Sequence, residues 1–164
     1  SLHDALPIYV QTIKFYICND RDMNDRIFPN LGWAGYLKEW DGPVEGERPG
    51  AYIILLHDTS ISQGYSCDNG IFAQSILLQA VDLGFGGCMI ATFKKDEITQ
   101  LLRLPKYLTP ILVIALGKPK EVVVIDDIKM GDVKYWRDAG NIHHVPKRTL
   151  DELIYIPEDE PAQQ

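Results

Sequence analysis

The chain has few cysteines. Only Cys18, Cys67 and Cys88 occur in its 164 residues, and no two of them have metal-ligand or thioredoxin-like spacing. A disulfide framework and a structural zinc are therefore not expected, and the thiols read as reduced ones in a cytosolic protein. No apolar run reaches about 18 residues, so no membrane-spanning helix is expected. The stretch from Ile8 to Phe15 is too mixed and too short for the core of a signal peptide. Basic residues are in deficit, with 16 Lys+Arg against 23 Asp+Glu and a formal charge of -7. That balance gives no support for a nucleic-acid partner, although a local basic patch can still hold a phosphate.

Several catalytic signatures are missing as well. No Walker A sequence and no Gly-x-Ser-x-Gly elbow is present, which removes the commonest phosphate loop and hydrolase nucleophile. Gly84-x-Gly86-Gly87 follows a helical pattern, whereas a dinucleotide fingerprint follows a strand. His143-His144 is read as a loop pair, and adjacent loop residues seldom aim at one ion, so no metal is expected.

What remains is an ordinary folded composition, 46% hydrophobic, of a size suited to one domain over residues 1–164. The stretch from Gly70 to Phe93 organises it. Ile71, Phe72, Ile76, Leu77, Leu78, Ala80 and Val81 give a helix apolar on much of its circumference, as expected of one buried between layers. Asp68 or Asn69 is placed to cap it, and Gly84 to end it with a positive φ. The glycines beyond then serve either a tight turn inside a core or a backbone wall against a flat ligand. Cys88 to Ala91 reads as a short strand.

Elsewhere, Thr12–Cys18 reads as a strand, Asn24–Phe28 as a short helix and Leu31–Trp40 as a second helix. The aromatic face of that second helix suits a core, a subunit contact or a ligand platform. Ala51–Leu56 and Pro110–Leu116 are nearly all apolar and predict strands covered on both faces. Lys94–Leu104 predicts a helix stopped by Pro105, and Glu121–Ile125 an extended segment. Thr149 and Glu152 form a capping-box pattern. His57 follows a central strand, either as a structural histidine or as one reaching a pocket. Lys147 and Arg148, behind Pro146 and beside the Thr149 cap, are either a solvated pair or a phosphate clamp. Strands alternate with helices, but too few for a doubly wound sheet, so an α+β layer fold is expected. Residues 1–8 fit nothing downstream and read as a non-native leader, in which His3–Ile8 resembles a translated sequencing adapter on an environmental (metagenome) fragment. Residues 157–164 read as a flexible tail.

From Gln11 to Ile154 the chain resembles the nitroreductase family. The resemblance is carried by Gln11-Thr-Ile-Lys14, by Phe15-Tyr-Ile17, by Phe28-Pro-Asn-Leu-Gly-Trp-Ala-Gly-Tyr-Leu37 and by Glu47-Arg-Pro-Gly-Ala-Tyr-Ile53. Gly70 to Phe93, the strand into Gly117-Lys-Pro119 and His143-His-Val-Pro-Lys-Arg148 complete it. The resemblance implies a central, mostly antiparallel sheet flanked by helices, with the family's N-terminal helices missing. It also implies an FMN-dependent, cytoplasmic homodimer that passes hydride from NAD(P)H to a nitroaromatic or quinone-like acceptor by a ping-pong cycle. By that resemblance Gln11 lies near the flavin ring, and Ile90, Ala91 and Thr92 run past its edge, the Thr92 amide towards the reactive nitrogen. Gly86, Gly87 and Cys88 support the turn, while Lys147 and Arg148 hold the phosphate. Tyr36 and Trp40, by their aromatic character, are expected to border the substrate. The family's Arg-rich opening motif is absent, and of its ring-facing Pro-Ser-x-x-Asn-x-Gln stretch only Gln11 remains. Loss of several charge-assisted phosphate bonds, each worth about 1.5–3 kcal/mol, makes the alternative a truncated homodimer with weak or no FMN binding and no catalysis.

Overall fold

A computed structural model describes residues 9–157, so the leader at 1–8 and all but Pro157 of the tail lie outside the described residues. The chain forms two compact units. One contains the residues up to Gly35 together with Glu39–Pro119, and the other contains Tyr36–Lys38 and the residues from Lys120 onward.

The first unit is built on a four-stranded antiparallel sheet in the order β1-β2-β4-β3. Its strands are β1 (Ile13–Cys18), β2 (Ala51–Asp58), β3 (Gly86–Ile90) and β4 (Leu108–Gly117). The apolar runs of β2 and β4 occupy the centre because a strand covered on both faces has no need of alternation. Tyr52, Ile54 and Leu56 of β2, with Val113 and Ala115 of β4, face one core that also holds Ile27, Leu31, Ile90 and Ile98. Leu55, Leu112 and Ile114 face a second core with Ile13, Phe72 and Ala73. Helices α1 (Arg21–Ile27) and α3 (Lys95–Leu101) supply the first core, and α2 (Asp68–Asp82) supplies the second. Pro110 lies inside β4, at a register shift: Leu55 pairs with Leu112 but Leu56 with Pro110, leaving Ile111 as the extra residue. A bulge is where a strand tolerates a residue without an N–H.

Several local expectations need correction. Helix α2 buries one face only: Phe72, Ala73 and Ala80 are buried, whereas Leu78 is 62% and Val81 66% exposed. It starts at Asp68, with Cys67 as an N-cap that makes no side-chain bond. Leu31–Trp40 is not a helix. Leu31 pairs with Phe93 in an isolated bridge, the Gly32 N–H goes to the Thr92 carbonyl at 2.8 Å, and Ala34 has φ +30°. Backbone bonds to the 92–94 segment replace those a helix would make within itself. Helix α1 begins earlier than expected because Asp20 caps it, accepting the Met23 N–H at 2.9 Å. Strand β3 starts two residues earlier than expected, at Gly86, and ends at Ile90, leaving Ala91 outside. Helix α3 ends at Leu101 rather than at Pro105, where Arg103 takes φ +51°. Cys18 is buried, and Cys67 and Cys88 are exposed.

The second unit carries a three-stranded sheet in the order β5-β7-β6, from β5 (Val123–Asp127), β6 (Trp136–Arg137) and β7 (His143–Lys147). Strand β7 pairs parallel with β5 and antiparallel with β6. His143-His144 therefore lies in a strand rather than a loop, and the two rings point to opposite faces. Helix α4 (Leu150–Leu153) opens with the capping box read from the sequence: Thr149 takes the Glu152 N–H, and Glu152 takes that of Thr149.

Two of the three glycines at the turn into β3, Gly84 and Gly87, have different roles. Gly84 takes φ +76° and ends α2 as expected. A Cβ on Gly87 would come within 2.5 Å of the Ala115 carbonyl and 2.8 Å of the Leu77 side chain, so its bareness lets α2 press onto the sheet. Gly87→Ala is expected to cost about 1–3 kcal/mol by overpacking. Gly70→Ala, at a helical position with nothing within 4 Å, is expected to gain about 0.5–1 kcal/mol. Urea unfolding of the two variants checks both signs.

Candidate functional site

The residues proposed for cofactor contact fall in both units. In the first, Ile90 is the buried last residue of β3, and Ala91 and Thr92 follow it as exposed backbone outside the strand. Their course is fixed by the 30–32 segment: Gly32 donates to the Thr92 carbonyl, Lys94 to the Asn30 carbonyl at 2.9 Å, and Leu31 bridges Phe93. A Cβ on Gly32 would lie 2.9 Å from the Thr92 methyl and 3.0 Å from its carbonyl oxygen. Gly32 is thus the residue that permits this approach, and sequence reasoning missed it while reading a helix there.

Gly86 and Gly87 do not form an open wall. The space beside Gly86 is taken by Pro119 at 3.3 Å, and that beside Gly87 by Leu77 and Leu116. Their part is to pack the turn that leads to Thr92, and exposed Cys88 lies between the turn and Ile90. Gln11 is exposed two residues before β1, with φ +57° and its side-chain amide donating to the Tyr9 carbonyl at 3.2 Å. Strands β1 and β3 are the two margins of the sheet, so three strand spacings of about 4.8 Å, roughly 14 Å, separate them. Within the first unit, then, Gln11 and Thr92 share an end of the sheet without touching.

Trp40 belongs to the first unit and Tyr36 to the second. Tyr36 packs on Tyr135, with ring centroids 4.9 Å apart, and donates its N–H to the Tyr135 hydroxyl. His57 is buried at the end of β2, its ring against Tyr65 and its Nε2 without a hydrogen bond. Beside it, Lys14 pairs with buried Asp58 at 2.7 Å. Lys14 and then Ser60 hold the Asp58 carboxyl below its usual range.

In the second unit Lys147 is exposed at the end of β7, its carbonyl taking the Ile128 N–H. Arg148 is also exposed, but its guanidinium lies 3.5 Å from Glu152. Glu152 already satisfies the N–H at the start of α4. A phosphate here would rest on the two cationic side chains rather than on the helix terminus.

Strand β7 also carries a polar cluster that the sequence reading did not find. His143 Nδ1 lies 2.9 Å from Glu121, which also pairs with Arg137. His144 Nδ1 lies 2.8 Å from Asp126 and its Nε2 3.6 Å from Asp138. Trp136 stacks on the His144 ring at 4.0 Å and 5°. Asp138 takes the N–H groups of Gly140 and Ile142, each at 2.9 Å, and closes the hairpin. A cavity of about 530 Å³ is lined by Trp136, His144 and Pro146, with Asp126, Asp127, Asp132, Lys129 and Lys134 among its walls. The turn signal Asp138-Ala-Gly-Asn141 was available in the sequence.

Comparison with known proteins follows the same outline. The sequence model of the nitroreductase family matches residues 57–118, a span that holds the last two residues of β2 and all of α2, β3, α3 and β4. That span is less than half of the chain. The crystal structure of a nitroreductase family protein from Streptococcus pneumoniae matches with a TM-score of 0.63 at 14% identity, covering 95% of this chain and 84% of that one. An FMN-dependent nitroreductase from Clostridium difficile matches with a TM-score of 0.56 at 19% identity, over 73% and 72%. A Cr(VI) reductase from a Pseudomonas strain is 30% identical over 76 residues, 45% of this chain. That match spans 31% of the curated protein. The nitroreductase-like α+β sheet expected from sequence is the one observed, and no helix among the described residues is long and apolar enough to cross a membrane.

The carboxyls of the β7 cluster set an acid limit on the second unit. Burial pushes Glu121 up, but Arg137 and His143 overcome it and hold it below its ordinary value. Asp138 is held low chiefly by the Ile142 N–H, then by Gly140 and His144. A carboxyl with a depressed folded pKa stabilises fully above its unfolded value, about 4, and loses that contribution as pH falls through the folded one. Acidification below about pH 4 is therefore expected to release β7, read as lost amide protection at His144 and Val145. Glu121→Gln should make the loss shallower; an unchanged acid profile would contradict the assignment.

Proposed function

We propose that the chain is the flavin-bearing core of an FMN-dependent oxidoreductase that takes hydride from NAD(P)H and passes it to an electron-poor acceptor such as a nitroaromatic or a quinone. The observation that supports this best is the exposed Ala91–Thr92 backbone that follows β3 within residues 57–118, the span the family model matches, and that Gly32, outside that span, pins in place. Exposed backbone held from behind suits the edge of a planar ring, whose reduced form needs fixed N–H donors. Thr92 offers the amide, Ile90 anchors the segment from its buried side, and Gln11 supplies a second polar group at that end of the sheet. Lys147 and Arg148 would hold the phosphate by charge-assisted bonds. When bound, FMN supplies the hydride chemistry in two alternating half-reactions. The chain's own part is to bind, to orient and to stabilise charge, so no side chain has to serve as acid or base. Tyr36 and Trp40 are assigned to the substrate border on their aromatic character alone.

Two copies are expected to associate. Leu78, Val81, Leu83 and Phe85 lie exposed along and after α2, and Val123, Val124 and Ile125 lie exposed on β5. Apolar surface of this kind is normally covered by a partner.

A second reading, a homodimer that binds FMN weakly and turns nothing over, is favoured by the pairing of Arg148 with Glu152. An FMN titration separates the two. The catalytic reading expects a yellow protein, bleached by reduced nicotinamide, whose affinity falls about tenfold or more in Arg148→Ala, in line with loss of one charge-assisted bond. A colourless protein that takes up no added FMN supports the second reading. An Arg148→Ala variant that binds as tightly as the parent removes the phosphate assignment.

A further inference from the structure

We propose that His144 is a proton-dependent positioning residue for Lys147 and Arg148, fastening the strand that presents them when its ring is charged and loosening it when the ring is neutral. The proposal rests on the reading of Lys147 and Arg148 as the phosphate-holding pair.

The ring has a carboxylate at each nitrogen: Asp126 of β5 at 2.8 Å from Nδ1, and Asp138, just after β6, at 3.6 Å from Nε2. Nε2 is buried and makes no hydrogen bond. A neutral imidazole has one N–H, so in either tautomer one of the two carboxylates faces a lone pair. The imidazolium has two, and each can be met by a charge-assisted bond. Trp136 of β6, stacked on the ring, keeps it in the plane that points at both carboxylates.

The same contacts lead to the basic pair. Asp126 is level with Pro146 and Asp127 with Lys147 in the β5–β7 register, so holding Asp126 holds β5 alongside the end of β7. Asp138 closes the hairpin from β6 into β7 through Gly140 and Ile142. The other charged groups around this side of the ring are Asp127, Lys129, Asp132 and Lys134, which line the same cavity. The opposite face of β7 carries His143 with Glu121 and Arg137. Histidine is the side chain whose ordinary charge change falls near neutral pH. The strand is fastened while the ring is charged and freer once it is neutral.

The test is an FMN titration from pH 5.5 to 8.5 at constant ionic strength, on the parent, on His144→Gln and on the Lys147→Ala/Arg148→Ala double variant. The ionisation of the FMN phosphate and of His143 is common to the parent and His144→Gln, so their difference isolates His144. The parent is expected to lose several-fold more affinity than His144→Gln as pH rises. A double variant that binds FMN like the parent would defeat the phosphate reading. A weakened double variant together with parallel pH profiles for parent and His144→Gln would overturn the present proposal alone. Amide exchange at Val145 and Lys147 of the parent, followed through the NMR titration of His144, supplies a readout that needs neither FMN nor a variant. Protection is expected to fall as His144 loses its proton, and constant protection overturns the proposal. Asp138→Asn serves in place of His144→Gln where the latter does not fold.

Discussion

The first unit depends on the antiparallel pairing of β2 with β4. These two strands sit at the centre of the sheet, bonded to each other and each to one marginal strand. Their alternate residues feed two separate cores, so a slip of one residue would exchange the contents of both. The bulge at Ile111 holds that register while admitting Pro110. Because β3 hangs on β4 from Gly86↔Gly117 to Ile90↔Val113, the position of Ala91 and Thr92 follows from the central pair. Gly32 then fixes the segment from its other side.

The second unit is held differently. Among its described residues no apolar side chain is buried to the degree seen in the first unit, and the inner strand carries two histidines where a core strand would carry valine or isoleucine. Ionic and aromatic contacts of those rings join β5 and β6 to β7. Such contacts gain little from area burial and much from charge state. A unit built this way responds to conditions that leave the β2–β4 sheet indifferent.

The reasons some features were legible in the sequence and others were not are physical. Ala51–Leu56 and the 110–116 run announced central strands because uninterrupted apolar β-branched residues have few other uses at that length. The Thr149–Glu152 cap was legible because its geometry is local. Leu31–Trp40 misled because aromatic spacing imitates a helix, whereas Gly32 was selected for a contact with Thr92, some sixty positions distant. Helix α2 has the composition of a fully enclosed helix, yet one side of it is exposed within the chain. The histidine cluster escaped notice for a related reason: Glu121, Asp126, Trp136, Arg137 and Asp138 meet only after two strands have paired. For the cofactor residues, the order of motifs along the chain carried the reading. The structure adds that Gly86 and Gly87 pack against Pro119 and Leu77.

Cys18 has a use beyond its place in the packing. Its thiol is enclosed at the end of a marginal strand, opposite Tyr52, while the chain's other two cysteines, Cys67 and Cys88, are exposed. An alkylating reagent should therefore modify Cys67 and Cys88 at once and reach Cys18 only in molecules whose β1 has peeled away. The chain thus carries its own chemical clock for the detachment of that strand, read by mass alone and without an introduced label.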